Sequence, residues 1–330
     1  MIFMEAMLLV FFQLRKQKQE LFMILQTKTN GRFLVYKREI LDMEKLYCYD
    51  NETIKWNHDG KEYCVHIQQD NLNDIGPRDY DHDSVMACFG RYKYLGDKIE
   101  YDSPKDFWIS NAYGHCSDEE IFEALKERKL INIYVDYYQD MEKDEYFYAL
   151  CDMDNGDCFV DGLAEDEVVS EAKYWLEPED CMILLDSKMV WVPLYVYDHS
   201  GISMSCDERT YPFNDRFDSS MVGWIVTTMC KNHTSADEMK ATRVMQQEVK
   251  EYNDWLHGEV YCYTLYEQNG DDGDEFDDWI EIDSCGGFIG DNIIENGMTY
   301  NVGNGIEEAV KNENYTTGTA KKTVVVKWEF

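Results

Sequence analysis

Apolar and aromatic positions recur in short runs along the chain, and their spacing separates strands from helices. Runs that are rich in aromatic and β-branched residues, such as YCVHI and VYCYTLY, are typical of strands. We predict strands at 61–68, 131–137, 157–161, 190–197, 222–229, 259–266, 278–283 and 323–329.

Three segments carry helix signals instead. Ser117 followed by Glu120 forms a capping box in front of the segment IFEALKERKL. A second helix is predicted over 164–176, with acidic residues in its first turn. Ser235 and Glu238 open the longest predicted helix, which ends before a glycine, and its apolar residues recur at helical spacing.

Strands and helices do not alternate regularly, which favours an α+β fold over a doubly wound sheet. We predict mainly antiparallel sheets with three helices packed on one side. No segment rich in proline, glycine or serine interrupts the chain after Met43, so residues 43–330 are predicted to form a single large domain.

The first 42 residues differ from the rest in pattern. Residues 1–12 are apolar and a basic stretch follows them, which is the reverse of the order in a secretory signal. The codons of Lys37, Arg38 and Glu39 can form a purine run like a bacterial ribosome-binding site, three codons before Met43. We therefore expect translation to begin at Met43 and residues 1–42 to be leader sequence, with an N-terminal amphipathic helix as the alternative.

The chain is strongly acidic, with 66 Asp and Glu against 31 Lys and Arg and a net charge of −35. A field of this sign repels nucleic acids and anionic membranes, and it attracts basic proteins. We expect no direct nucleic-acid or membrane partner, and a protein partner with a basic surface. Acidic residues concentrate at 136–167 and 271–278, as in proteins that imitate DNA phosphates, although solvated faces and loops explain the same composition.

The eleven cysteines include no pair at Cys-x-x-Cys spacing, and several lie within apolar runs. This usage is typical of small buried side chains in a reducing compartment. It predicts a cytoplasmic location and supports neither a zinc ribbon nor a disulfide framework.

Two turns carry the side chains best suited to chemistry. Asp81 and His82 lie in one turn, and Asp198 and His199 lie in the other. If the turns converge, the four side chains could bind a divalent metal or form a histidine acid–base pair; otherwise the aspartates only close their turns. These four are the catalytic candidates. No cofactor is predicted, and metal ligands stay undetermined.

Several strings containing these turns resemble an uncharacterised protein family from phages and mobile elements of low-GC Gram-positive bacteria. The strings are GPRDYDHDSVMACFGRYKYLGD, VPLYVYDHSGISMS, FDSSMVGWIV, EVKEYNDWLHGEVYCYTLY and DSCGGF. The family versions are similar to PREWDN, RYxLGD, PLYxYDHSG, WDSGxVG, YLTGDVYGY and DSCWGF. Within these strings, Arg78, Asp79, Arg91 and Asp218 are the candidate binding residues.

The chain departs from the family pattern at four positions. They are Tyr80 for Trp, His82 for Asn, Ser220 for Gly and Gly286 for Trp. The change at His82 weakens the metal hypothesis, because an essential ligand would not vary so freely. The resemblance implies a host context and no particular chemistry.

Together these features predict a non-enzymatic, acidic accessory protein of a phage or mobile element that acts by binding a protein. One version is an anti-defence factor that blocks a basic nucleic-acid-binding surface. A metal-dependent hydrolase that uses the Asp-His turns and a structural, oligomeric phage component are the alternatives.

Overall fold

The computed structural model describes residues 52–71, 75–140, 145–206, 211–213, 217–268 and 279–319. The predicted leader at 1–42, the acidic run at 271–278 and the predicted strand at 323–329 lie outside these residues. The strands are β1 Glu52–His58, β2 Lys61–Gln69, β3 Ser84–Cys88, β4 Ile133–Asp140, β5 Glu145–Asp152, β6 Cys158–Leu163, β7 Met189–Asp198, β8 Ile202–Cys206, β9 Ser219–Thr228, β10 Val260–Gln268, β11 Trp279–Ile289 and β12 Tyr315–Thr319. The helices are α1 Pro104–His115, α2 Asp118–Lys126, α3 Glu165–Ala172, α4 Pro178–Leu185, α5 Ser235–Leu256, α6 Met298–Val302 and α7 Ile306–Lys311.

The predicted α+β class is confirmed, since the described residues combine helices with sheets whose neighbouring strands pair antiparallel. Seven predicted strands correspond to β2, β4, β6, β7, β9, β10 and β11. The number of helices differs from the prediction, because the described part of the chain contains seven rather than three. The additional helices are short or carry little one-sided apolar character, so their sequences gave a weak periodic signal.

Residue contacts divide the chain into two compact units, one formed by residues up to Asp70 and from Tyr261 onward, the other by Asn71–Val260. The first unit contains a five-stranded sheet in the order β11-β10-β2-β1-β12. Residues from α6 and α7 share a buried core with the apolar residues of this sheet. The single domain predicted for 43–330 stays a prediction, and each unit is described by itself.

The second unit is built around a four-stranded sheet in the order β3-β9-β7-β8. One sheet face packs against α5 through Met245, Val249 and Tyr252. The opposite face joins a large aromatic core that includes Trp108 of α1, whose ring lies edge-on to Trp191 and Trp224 at centroid distances of 5.4 and 5.5 Å. A smaller sheet, β4-β5-β6, packs against α2 and α3.

Two of the predicted helix boundaries have a clear physical basis. The capping box at the start of α2 is confirmed, with the Ser117 hydroxyl accepting from the Glu120 amide and the Glu120 carboxylate accepting from the Ser117 amide. At the end of α5, Gly258 has a φ of 74°, which only glycine adopts without strain. The true cap of α5 is Thr234, one residue before the predicted serine.

One cysteine pair departs from the expectation of reduced thiols. Cys151 on β5 and Cys158 on β6 form a disulfide, whereas the exposed Cys230 is a free thiol. The sequence did not indicate this pair, because the β5–β6 hairpin that brings the two residues opposite each other was not predicted as a hairpin.

A buried carboxylate organises the start of α4. Asp180 has no exposed surface, and its two carboxylate oxygens accept from the backbone amides of Ile131, Asn132 and Glu177 and from the side-chain amide of Asn132. These bonds connect α4 to the segment that leads into β4. No described helix combines the length and apolar character needed to span a membrane.

We expect Asp180→Ala to lower the free energy of unfolding by about 2–4 kcal/mol, because several buried N–H groups lose their acceptor. Urea denaturation followed by tryptophan fluorescence measures the change. Asp186→Ala, at the exposed other end of α4, is the matched control and should change stability by less than about 0.5 kcal/mol. Equal stability of the two variants would contradict the structural role of Asp180.

Candidate functional site

The eight candidate residues from the sequence fall into two clusters at opposite ends of the four-stranded sheet. Strand β3 pairs with β9 from Ser84 opposite Thr227 to Cys88 opposite Gly223, and β9 pairs with β7 as far as Ser219 opposite Tyr197. The turn with Asp81 and His82 precedes Ser84, whereas the turn with Asp198 and His199 follows Tyr197. The partners of Ser84 and Tyr197 on β9 are Thr227 and Ser219, which are eight residues apart along the strand, or roughly 26 Å.

This separation places Asp81 and His82 away from Asp198 and His199, so the two turns, whose convergence the sequence left open, do not form one site. The premise of the metal-dependent hydrolase is thereby removed. Among the described residues, no group of three or more His, Cys, Asp or Glu side chains could hold a metal ion. The sequence could not test convergence, because residues more than a hundred positions apart are positioned only by strand register.

The first cluster is centred on a buried arginine. The Arg78 side chain is 4% exposed and makes a forked ion pair with Asp97, with N–O distances of 2.8 and 2.6 Å. It also donates to Glu248 of α5 at 2.7 Å and to the Ser84 carbonyl at 2.9 Å. Burial lowers the pKa of the guanidinium, but the hydrogen bonds and charges of Asp97 and Glu248 raise it by more. Arg78 is therefore held as a fully paired cation.

The other residues of this motif support the same network. Asp79 accepts from the Gly76 amide at 2.9 Å and closes the 3₁₀ turn Pro77–Asp79. The His82 Nε2 lies 2.6 Å from the Pro77 carbonyl, so this nitrogen carries a proton and donates it. Its Nδ1 lies 4.0 Å from Glu248, beyond direct hydrogen-bond reach.

An open pocket of about 430 Å³ lies over this network, and its lining residues include Tyr80, Asp81, His82, Lys98 and Tyr101. The arginine at its base has little capacity left for a phosphate, because two carboxylates and a carbonyl already accept from it. The Ser84 hydroxyl is buried, and the Glu248 oxygen that accepts from it also accepts from Arg78. This ion pair makes the carboxylate a weak base, so Ser84 is not poised as a nucleophile. The contacts of this cluster are those of a structural ion-pair network.

The second cluster lies at the turn between β7 and β8. The His199 Nδ1 donates to Asp218 at 2.9 Å, and the Asp198 amide donates to the Asp218 carbonyl at 2.8 Å. The Asp198 carboxylate accepts from the Tyr92 hydroxyl at 3.2 Å and lies 3.9 Å from Arg91. The structure thus brings together four candidates, two proposed as catalytic and two as binding residues.

Chemically, the His199–Asp218 pair leaves Nε2 free to accept a proton, as in a general base oriented by a carboxylate. The His199 side chain is 64% exposed and Asp218 is 37% exposed, so a substrate bound here would remain in contact with water. An exposed pair of this kind gives little electrostatic stabilisation of a transition state. Its geometry suits surface recognition better than catalysis.

A second histidine arrangement, which the sequence did not indicate, lies at the end of the sheet that carries Asp198 and His199. The His257 Nε2 lies 2.9 Å from the Ser203 hydroxyl, and its Nδ1 lies 3.4 Å from the Asn253 amide nitrogen. The Asn253 oxygen accepts from the Met204 amide, which leaves the NH₂ group to face His257. His257 therefore accepts at Nδ1 and donates from Nε2 to Ser203, the reverse of the tautomer that activates a catalytic serine.

Within the acidic segment predicted at 136–167, the described carboxylates of β6 and of the start of α3 form an exposed surface. Its carboxylates at Asp161, Glu165, Asp166 and Glu167 are exposed, and none forms an ion pair with a lysine or arginine of the described residues. The three that lie in the first turn of α3 also interact favourably with the helix dipole, which provides a structural reason for their presence.

A tyrosine cluster adjoins these carboxylates through the buried Tyr148. The Tyr148 hydroxyl donates to Glu165 at 2.8 Å, and the ring of Tyr137 contacts both Tyr148 and Tyr146. Tyr137 and Tyr146 are each 54% exposed. We name Tyr137, Tyr146, Asp161, Glu165, Asp166 and Glu167 the acidic aromatic surface. The sequence located its charges, but only the β4–β5 register brings the tyrosines beside them.

Comparison with known proteins assigns the chain to no family, since no family model, no curated protein and no solved structure matches it. The resemblance to the family from phages and mobile elements stays a prediction. The functional argument rests on the side chains described above.

Proposed function

We propose that the protein acts by binding a partner protein that presents a basic surface, and that the acidic aromatic surface is its main contact. The observation that carries the proposal is the set of exposed carboxylates on β6 and α3 without a described lysine or arginine partner. Carboxylates that no described lysine or arginine neutralises are available to steer and pair with a basic partner.

The tyrosines add the second component of a protein interface. Tyrosine is enriched at interface hot spots, where its ring provides contact area and its hydroxyl a hydrogen bond. The Tyr137 ring adjoins that of Tyr148, whose hydroxyl donates to Glu165, so a lysine or arginine side chain could pack on the Tyr137 ring and pair with a nearby carboxylate. A purely solvating acidic face does not need exposed aromatic rings.

The resemblance of the sequence motifs to proteins of phages and mobile elements suggests what kind of partner this would be. In an accessory protein of a mobile element, the partner would be a cytoplasmic host protein whose basic surface binds nucleic acid. Blocking that surface would make the protein an anti-defence factor. The protein itself would act without catalysis and without direct contact to nucleic acid, because its charge repels phosphates.

The proposal is tested by affinity capture from a lysate of a Gram-positive bacterium at low ionic strength. We expect the double variant Glu165→Gln/Asp166→Asn to bind its captured partner about tenfold more weakly than wild type, since two charge contacts are lost. Mass spectrometry identifies the captured proteins, and titration with the purified partner measures the affinity.

The matched control is Asp118→Asn/Glu119→Gln, which removes the same charge from the first two positions of α2. It should bind like wild type. Duplex DNA added as a competitor should release the partner if the basic surface is one that binds nucleic acid. Equal affinity of the two double variants for the partner, or capture that high salt does not reduce, would contradict the proposal.

A further inference from the structure

The disulfide between Cys151 and Cys158 joins two strands of very different burial. Cys151 lies on β5 and is 1% exposed, whereas Cys158 opens β6 and is exposed. The two residues are opposite each other in the strand register, and the turn 152–157 connects them. The bond is therefore a covalent tie between a core strand and an edge strand.

The non-covalent attachment of β6 to β5 is weak by comparison. The β5–β6 pairing contains two register irregularities, between Tyr148 and Leu150 and between Leu150 and Cys151. None of the β6 side chains is buried, and only Val160 and Leu163 are half-buried. Phe159 stacks on Trp175 at 4.4 Å, and Leu163, the last residue of β6, packs at the edge of the large aromatic core. An irregular and exposed edge strand of this kind opens readily.

The exposure of the two sulfur-bearing residues determines how the bond would be reduced. A thiolate of a dithiol reductant attacks the accessible Cys158 sulfur, and the Cys151 sulfur leaves with the bonding electron pair and takes up a proton. The second thiol of the reductant then displaces Cys158 from the mixed disulfide. The protein gains two thiols, and the reductant becomes a disulfide.

We propose that Cys151–Cys158 is a thiol switch that fixes β6 while the disulfide is intact and releases β6 when a dithiol reduces the bond. Release of β6 displaces Asp161 and loosens the start of α3, which follows β6 directly. Reduction should therefore weaken binding through the acidic aromatic surface. This last step rests on the proposed function, whereas the release of β6 does not.

Hydrogen exchange on the full chain tests the structural part. With dithiothreitol as the reductant, we expect backbone amides of 158–163 to exchange at least about tenfold faster than in the oxidised protein, with β7 unchanged. Cys158→Ala should reproduce the fast exchange without reductant, and Cys230→Ser, an exposed free cysteine, should behave as wild type. Alkylation under denaturing, non-reducing conditions should spare Cys151 and Cys158.

The outcomes separate the two proposals. Alkylation of both cysteines in protein purified without reductant, or exchange of 158–163 that does not change on reduction, overturns the switch. If reduction speeds the exchange of 158–163 but leaves the affinity for the partner unchanged, the release of β6 stands and its effect on binding is overturned. If the oxidised protein captures no basic partner, the proposed function fails, while faster exchange on reduction still supports the release of β6.

Discussion

Replacement of Arg78 by methionine should lower the free energy of unfolding of the second unit by about 3–5 kcal/mol. The side chains of Asp97 and Glu248 are 21% and 14% exposed, and both pair with the Arg78 guanidinium. Without it, two largely buried carboxylates from different parts of the chain lose their counter-charge. Urea denaturation monitored by circular dichroism measures the loss.

Arg91→Met is the matched control, because Arg91 lies in the same motif but is 70% exposed and 3.9 Å from Asp198. It should cost less than about 1 kcal/mol, as is usual for exposed ion pairs. Arg78→Lys should have an intermediate effect, since an ammonium group cannot form the forked pair with Asp97. A loss below about 1 kcal/mol for Arg78→Met would refute the structural role of the network.

The second large effect is expected at Gly223 in β9. A Cβ atom there would lie 1.8 Å from the carbonyl oxygen of Ala87 on the neighbouring strand β3. The neighbouring atom is backbone, so relief requires displacement of β3 from the sheet. We expect Gly223→Ala to cost at least about 3 kcal/mol or to prevent folding, measured by thermal denaturation and by the yield of folded protein.

Gly114→Ala provides the comparison, since a Cβ there meets no other atom within 4 Å and the residue lies in α1. We expect a gain of about 0.5 kcal/mol, because alanine loses less backbone entropy than glycine in a helix. If both alanine variants fold with similar stability, the close approach of β3 and β9 at Gly223 is not as described.

The motif GPRDYDHDSVMACFGRYKYLGD contains Arg78 and several other candidate site residues. Most of its distinctive residues hold the second unit together. Arg78 and Asp97 form the buried ion pair, and Gly96 donates its amide to the Tyr252 hydroxyl of α5 at 2.9 Å. A distinctive motif therefore need not carry chemistry, because an ion-pair network also requires particular residues at particular positions.

The elements that the sequence predicts correctly are those whose pattern involves only neighbouring residues. The strand runs of β2, β7 and β10 and the capping box of α2 were predicted correctly, because alternation and capping depend on neighbours in sequence. Short strands such as β3 and β8 were missed, because five residues give too little periodicity to separate them from turns.

The sequence by itself determined the α+β class, the excess of negative charge and the acidic segment at 136–167. All three follow from composition and from short-range pattern. Only the tertiary structure decided that Asp81 and His82 lie far from Asp198 and His199, and that Arg78 is buried between two carboxylates. It also decided that the exposed Tyr137 packs beside Tyr148, which donates to Glu165 of α3. Each of these depends on strand register and helix packing between residues distant in sequence, which no local pattern specifies.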